Sequence, residues 1–336
     1  VEQVVINKSI DLIGDGASDS TIIEAPATLT AFQFPESSKW WEPVVFAYGG
    51  TADGSNVITG TDVVDVTISG LWIDGLDRVP GSGHRAAGIL LRNADGLVLD
   101  NVVRNMLIDG SETFGIIAYG DSVISINSNS VSGWARGGIA ANGDAGPYPD
   151  PVATITGNAV DGPGKDEVVT RAPNGIQIGW GATGSIEGNS VTGNGWPGTE
   201  WSGTGILAFA ADNVLIDGNN VFNNETGIAV GGDLWYETGP AENNIISNNT
   251  VENNTYGVGI QSASDYTMIS SNLITGSYYD GIDVWGDPIP VGTQIEMNQI
   301  FGNNVAEDAT SGGLWIQDGV ATVDASPNWW GTITGP

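Results

Sequence analysis

Short apolar strands recur along this chain at one phase, and the spacing between them organises everything else the sequence implies. From Ala153 onward a single phrase repeats: ATITGNAV ending at Val160, SIEGNSV at Val191, VLIDGNNV at Val221, NIISNNTV at Val251, TMISSNLI at Ile274 and QIEMNQI at Ile300. Their shared Asn158, Asn189, Asn219, Asn249, Asn272 and Asn298 stand 31, 30, 30, 23 and 26 residues apart. A second short strand, opened by glycine, follows each phrase at Gly175, Gly205, Gly227, Gly257, Gly281 and Gly313. Upstream, Gly88, Gly115 and Gly137 open similar strands, interleaved with VTISGLWI, GLVLDNVV and VISINSNSV.

Alternating strands this short cannot bury their inward faces alone, but stacked copies can. The pattern therefore predicts an all-β solenoid: a right-handed parallel β-helix of about 10 coils, roughly 45–50 Å long at the ~4.8 Å spacing of paired strands. It is expected to form one domain over residues 1–336. A leucine-rich solenoid with helices does not fit, because helical periodicity is missing and glycine falls where a helix would run. In VLIDGNNV, Ile216 and Val221 are expected to point inward. Asn219 sits at a corner, where its amide can bond the equivalent asparagines above and below in an asparagine ladder. Coil irregularities place loops at 74–87, 142–151, 161–173, 193–204, 231–242 and 285–292, where a solenoid collects function.

Composition narrows the partners. Forty acidic against nine basic residues give a formal charge of −31, so the basic footprint needed for nucleic acid is missing. That charge suits salt or Ca²⁺, since exposed carboxylates repel one another or recruit cations. Cysteine is absent, which removes disulfides and thiol chemistry. No apolar run approaches the ~18 residues of a membrane span. Sequons at Asn7, Asn224, Asn248 and Asn253 are candidate glycosylation acceptors in a secreted protein.

The Asn/Gly-centred phrases, the opening VVINKSIDLIGDG and the closing ASPNWWGTITGP resemble the NosD-like, carbohydrate-binding-and-hydrolysis class of β-helix repeats, within the pectate-lyase-like superfamily. The resemblance spans nearly the whole chain and implies an extracellular or cell-surface location. Its class contains polysaccharide lyases, hydrolases, epimerases and modules without chemistry, so fold analogy does not choose among them. In such proteins an earlier strand usually precedes the opening phrase. The first coil is therefore expected to be incomplete at Val1, with head-to-tail self-association completing it. Pro327, Trp329 and Trp330 are expected to cover the other end.

Candidate chemistry falls at three places. Four residues after the opening glycine stand Arg92, Tyr119, Phe209, Trp285 and Gln317, with Trp180 one residue further on. Tyr119, Trp180, Phe209 and Trp285 form a candidate glycan-binding strip, because aromatic faces suit sugar rings. Asp280, Asp283 and Asp287 flank Trp285, with Asp233 one coil earlier. They can supply an acid and base, with Asp280 and Asp283 the catalytic candidates, or all three can hold Ca²⁺. His84 and Arg85, near Arg92 and in phase with Arg136 and Arg171, are candidates for removing a proton beside a uronate carboxyl. The paired-Asp, Gly-His-Gly and Arg-Ile-Lys motifs of pectin hydrolases are not present. Two functions follow: a structural or glycan-binding surface protein, self-assembling through its ends, or a secreted lyase, hydrolase or epimerase acting in a groove along one sheet on a polysaccharide or cell-surface glycan.

Overall fold

A computed structural model describes the chain except for residues 16–20, 107–111, 145–147, 167–170, 199–200, 234–238, 318–322 and 332–336. Its described residues form strands and turns without helix, and no helix is long and apolar enough to cross a membrane. Three long parallel sheets wind as a right-handed β-helix. Sheet 1 runs through eleven parallel strands from Val4–Ile6 to Leu314–Ile316, and sheets 2 and 3 hold ten each among the described residues.

The alternation in each phrase sets which face is buried. In sheet 2, Ile68, Val98, Ile126, Ile155, Ile186, Ile216, Ile246, Ile269 and Ile295 stack in register and are buried. Val131, Val160, Val191, Val221, Val251, Ile274 and Ile300 do the same in sheet 3. The opening glycine of each sheet 1 strand answers a space constraint. A Cβ on Gly205 would lie 2.6 Å from the Gly227 carbonyl oxygen and 2.7 Å from Val221 Cγ1, so any side chain there would push adjacent coils apart.

At the corner between sheets 2 and 3, asparagine amides form a continuous chain. Each Nδ2 donates to the next Oδ1, from Asn101 through Asn129, Asn158, Asn189, Asn219, Asn249, Asn272 and Asn298 to Asn328, at 2.9–3.0 Å. Each Oδ1 also accepts the backbone N–H of the asparagine before it, as Asn219 does from Asn189 at 2.9 Å. A second, shorter chain runs Asn194, Asn224, Asn254. These bonds satisfy the amides and corner backbone groups that burial would otherwise leave unpaired.

The expectation of an incomplete first coil is corrected. Val4–Ile6, Ile10–Ile13 and Ile22–Glu24 supply one strand to each sheet, pairing with Ser37–Tyr48, Val64–Ser69 and Trp72–Asp74. At the other end, Trp330 packs on the core and Trp329 bridges Gln299. The irregular stretch from Glu24 to Gly60, where Trp40 and Trp41 pointed to a cover for the first coils, builds an antiparallel cover on sheet 1. Phe32–Phe34 pairs back on Ser37–Tyr48, and Thr51–Ala52 forms a hairpin with Ile58–Thr59. Four expected loops contain segments outside the described residues, at 145–147, 167–170, 199–200 and 234–238.

Candidate functional site

Sheet 1 presents its outer face as a track, built by residues that alternate with the buried isoleucines and valines. Gln177, Leu207, Ala229, Gly259, Asp283 and Trp315 stand in register along successive strands. Beside them, Gly179, Phe209 and Gly231 form a parallel row. Small residues lower the middle of the track, and Asp283 rises beside it. A Cβ on Gly259 would lie 3.4 Å from Asp283 Oδ1 and 3.6 Å from Gln261 Nε2, so the absent side chain leaves a notch between these polar groups.

The upstream end of the track is closed. Phe32, Phe34, Trp41, Phe46, Tyr48, Phe114 and Tyr119 pack into a second apolar cluster outside the helix core, with Phe34 and Trp41 centred 5.4 and 5.6 Å from the Tyr119 ring. Beneath this cover Arg92 forms a buried fork with Glu36, its Nη2 at 2.6 Å and Nε at 3.1 Å from the carboxylate oxygens. The expected strip has the register foreseen, since Arg92 pairs with Tyr119, but only its later half is open. Tyr119, 4% exposed, offers no face to a sugar, because the antiparallel cover occupies that face.

Next to the cover the scarce basic residues meet. Arg85 Nε lies 2.5 Å and Arg171 Nε 3.3 Å from the two oxygens of Glu112. Arg136 stands within the same field and donates to the Ala172 carbonyl at 2.8 Å. The Arg85 guanidinium lies over Trp41 and Phe114, 5.6 and 6.0 Å from their ring centres, and bonds the Tyr119 hydroxyl. Burial pushes the Glu112 carboxyl up, but Arg85, Arg136 and Arg171 outweigh it and hold the group below its ordinary value. Burial, with Arg85 and Arg171 adding repulsion, lowers Arg136 to about 10 despite Glu112. Asn142, Gln177 and Asn174 continue from Tyr119 as a line of buried amides. His84 faces away from this group, its Nδ1 2.6 Å from Glu42 Oε1 and its ring beside Trp40.

The downstream end carries acids and open aromatics. Trp285 is 40% exposed and donates to the Asp283 carboxylate, whose Oδ1 has no hydrogen-bond partner. Burial, then the charge of Asp280, pushes the Asp283 carboxyl up to about 7. Asp280, also raised by burial, accepts the Gly312 N–H at 2.8 Å, while Asp287 is exposed on the following turn. Trp180 meets Phe209 edge-on at 5.7 Å and its Nε1 lies 3.3 Å from Asp233 Oδ2. Among the described residues no group of three His, Cys, Asp or Glu is gathered as a metal site.

Two further outcomes concern the asparagines and what the sequence left unnoticed. Asn7, Asn248 and Asn253 are exposed, but Asn224 is fully buried in the second amide chain and cannot present a glycosylation acceptor. Its 30-residue spacing from Asn194 and Asn254 carried that signal. Glu112, Asn142, Asn174 and Gln177 were also missed. Gln177 was detectable as a polar residue in an otherwise apolar strand, and Glu112 as the residue three before Gly115 that answers Arg85 three before Gly88.

The family model described as the right handed beta helix region matches residues 114–300 and 200–327. No curated protein matches the chain. Among solved structures, the lacto-N-biosidase of Eubacterium ramulus is 12% identical over 98% of this chain and 61% of its own, with a TM-score of 0.54. Tailspike protein 2 of the Escherichia coli O157:H7 bacteriophage CAB120 is 12% identical over 90% of this chain and 38% of its own, with a TM-score of 0.50. The mannuronan C-5 epimerase A-module of Azotobacter vinelandii is 12% identical over 96% of this chain and 85% of its own, at 0.49. At such identities the likeness concerns the fold.

Proposed function

The chain belongs to the right-handed β-helix family, and from that premise we propose that it is an extracellular or cell-surface glycan-binding protein that seats a polysaccharide along the outer face of sheet 1. The observation that carries this reading is the aromatic row on the later half of the track. Trp285, 40% exposed, and the half-buried Phe209 and Trp180 supply aromatic faces to one side of a floor made of Leu207, Ala229 and Gly259, with the half-buried Gln261 offering a polar atom at the notch. Apolar ring faces stacked on aromatics and hydroxyls bonded to fixed polar groups are what a sugar chain needs. From the strand Asn174–Gly179 to Ile282–Val284 the track crosses four strand spacings, about 19 Å, long enough for a chain rather than a single sugar.

A second reading has its own observation. Asp283 holds a proton near neutral pH and turns an unpartnered oxygen toward the notch, which is how a general acid is prepared for glycosidic cleavage. Affinity electrophoresis of the folded protein through gels containing individual polysaccharides tests the first reading, with reducing-end release from the same polysaccharides testing the second. Retardation by at least one polysaccharide is expected, weakened about 10-fold in Trp285→Ala, which removes one aromatic platform worth about 1.4 kcal/mol. Retardation equal in Trp285→Ala and the parent would overturn the placement on sheet 1.

A further inference from the structure

In a chain carrying nine basic residues against forty acidic ones, three guanidinium groups have been brought to one carboxylate. Arg85 and Arg171 hold the two oxygens of Glu112 at 2.5 and 3.3 Å, and Arg136 stands in the same field. Among the described residues Glu112 is the one carboxylate paired with them, a single negative charge set against three positive ones. Arg92 and Arg104, by contrast, are each matched by a single carboxylate, Glu36 and Asp74. Mutual repulsion among three cations, Arg136 buried and Arg85 half-buried among them, is costly without anions to meet them. A purely structural role at Glu112 would need only one of them.

The surroundings match an anion rather than a further protein carboxylate. The Arg85 guanidinium lies over Trp41 and Phe114, 5.6 and 6.0 Å from their ring centres, contacts that hold its fork in place before any ligand arrives. Arg171 is 61% exposed and Arg85 25% exposed at their side chains, so the cluster opens to solvent. Gln177 lies in the same row as Leu207, Ala229 and Gly259, and its amide meets Asn142 at 2.8 Å and Asn174 at 2.6 Å. The cationic group thus stands at the closed end of the track. Arg136 directly precedes the strand Gly137–Asn142, five strand spacings from Ile282–Val284, or about 24 Å.

We propose that Arg85, Arg136 and Arg171, positioned by Glu112, form a subsite that takes the oxyanion of an acidic glycan, a carboxylate or a sulfate or phosphate ester, at the closed end of the track. This rests on the glycan-binding reading and names its substrate class. The general field of a chain at −31 repels polyanions, so any acidic glycan that binds must be held by a local site. Guanidinium forks suit such groups, each charge-assisted bond being among the stronger ones.

The test uses the whole protein against neutral polysaccharides and their carboxymethylated and sulfated counterparts, such as dextran, carboxymethyl-dextran and dextran sulfate, at 0.05 and 0.5 M NaCl. The two charged arms distinguish a carboxylate from an ester ligand. The expected result is tighter binding of at least one charged form over its neutral parent by about 10-fold or more, weakened by salt. Arg171→Ala and Arg136→Ala should each weaken it about 10-fold, Glu112→Gln should strengthen it, and Arg104→Ala should leave it unchanged. Arg171 is surface-exposed, so its variant keeps the test available if Arg136→Ala fails to fold. Strengthening by Glu112→Gln is an outcome that a merely structural ion pair does not give. Neutral polysaccharide bound as tightly as its charged forms, or acidic binding indifferent to Arg171→Ala, overturns the subsite and leaves the glycan track standing. Binding to no member of the panel overturns both.

Discussion

Replacing Asn219 by leucine isolates what the amide chain contributes. Asn219 is 1% exposed. Its Nδ2 donates to the Ile186 carbonyl at 2.8 Å and to Asn249 Oδ1 at 2.9 Å, and its Oδ1 accepts from Asn189 N and Nδ2 at 2.9 and 3.0 Å. Leucine occupies a similar volume and makes none of these bonds. Asn249 Oδ1 keeps the Asn219 backbone N–H, and Asn189 Nδ2 keeps two carbonyls. The Asn189 N–H and the Ile186 carbonyl lose these partners inside the corner. At ~1–3 kcal/mol for each such group the loss is about 2–6 kcal/mol, and the apolar surface of leucine returns ~1–2 kcal/mol, so the net destabilisation is about 2.5 kcal/mol at the middle of these ranges. The comparison is Asn220→Leu, the next residue, exposed at the start of the strand Asn220–Phe222, which should change stability by no more than about 0.5 kcal/mol. Equilibrium urea unfolding followed by fluorescence of the twelve tryptophans reads both as midpoint shifts at constant slope. Equal midpoints for the two variants would refute the reasoning, because the substitutions differ only in which face receives the leucine.

Two other outcomes follow from charge. The Asp283 carboxyl titrates at about 7 in the folded chain against an ordinary 3.8, so the folded state holds the extra proton between those values and stability falls as pH rises through that window. Asp283→Asn should therefore melt above the parent at pH 8, by less than the ~4 kcal/mol ceiling that three units imply, and together with it below pH 4; a variant no more stable at pH 8 would contradict the burial assigned to this group. With a formal charge of −31, NaCl should raise the melting temperature by screening self-repulsion. CaCl₂ at equal ionic strength separates screening from binding, because a rise in thermal scans beyond that given by NaCl would indicate bound calcium, with Asp280, Asp283 and Asp287 the first candidates.

Position along each coil was legible in the chain because a solenoid repeats one local solution. Ile216 and Val221 point inward, Asn219 joins its neighbours and Gly205 opens its strand for reasons contained within about 30 residues and copied in the next coil. The same copying placed Phe209 and Trp285 on one face. Tertiary structure alone decided which parts of that face are reachable. Tyr119 and Phe209 share a phase in the repeat, but Phe32, Phe34 and Trp41 fold back over the first and not the second, and this cover belongs to a stretch outside the repeat. Charge pairing was hidden in part. Arg85 and Glu112 share a phase, three residues before Gly88 and Gly115, and pair across adjacent strands, whereas Arg171 reaches Glu112 across 59 residues from a turn two coils on. Periodicity specifies a rod because every coil must bury the same faces against its neighbours, whereas a binding site arises where coils differ, and those differences meet only after the chain has wound.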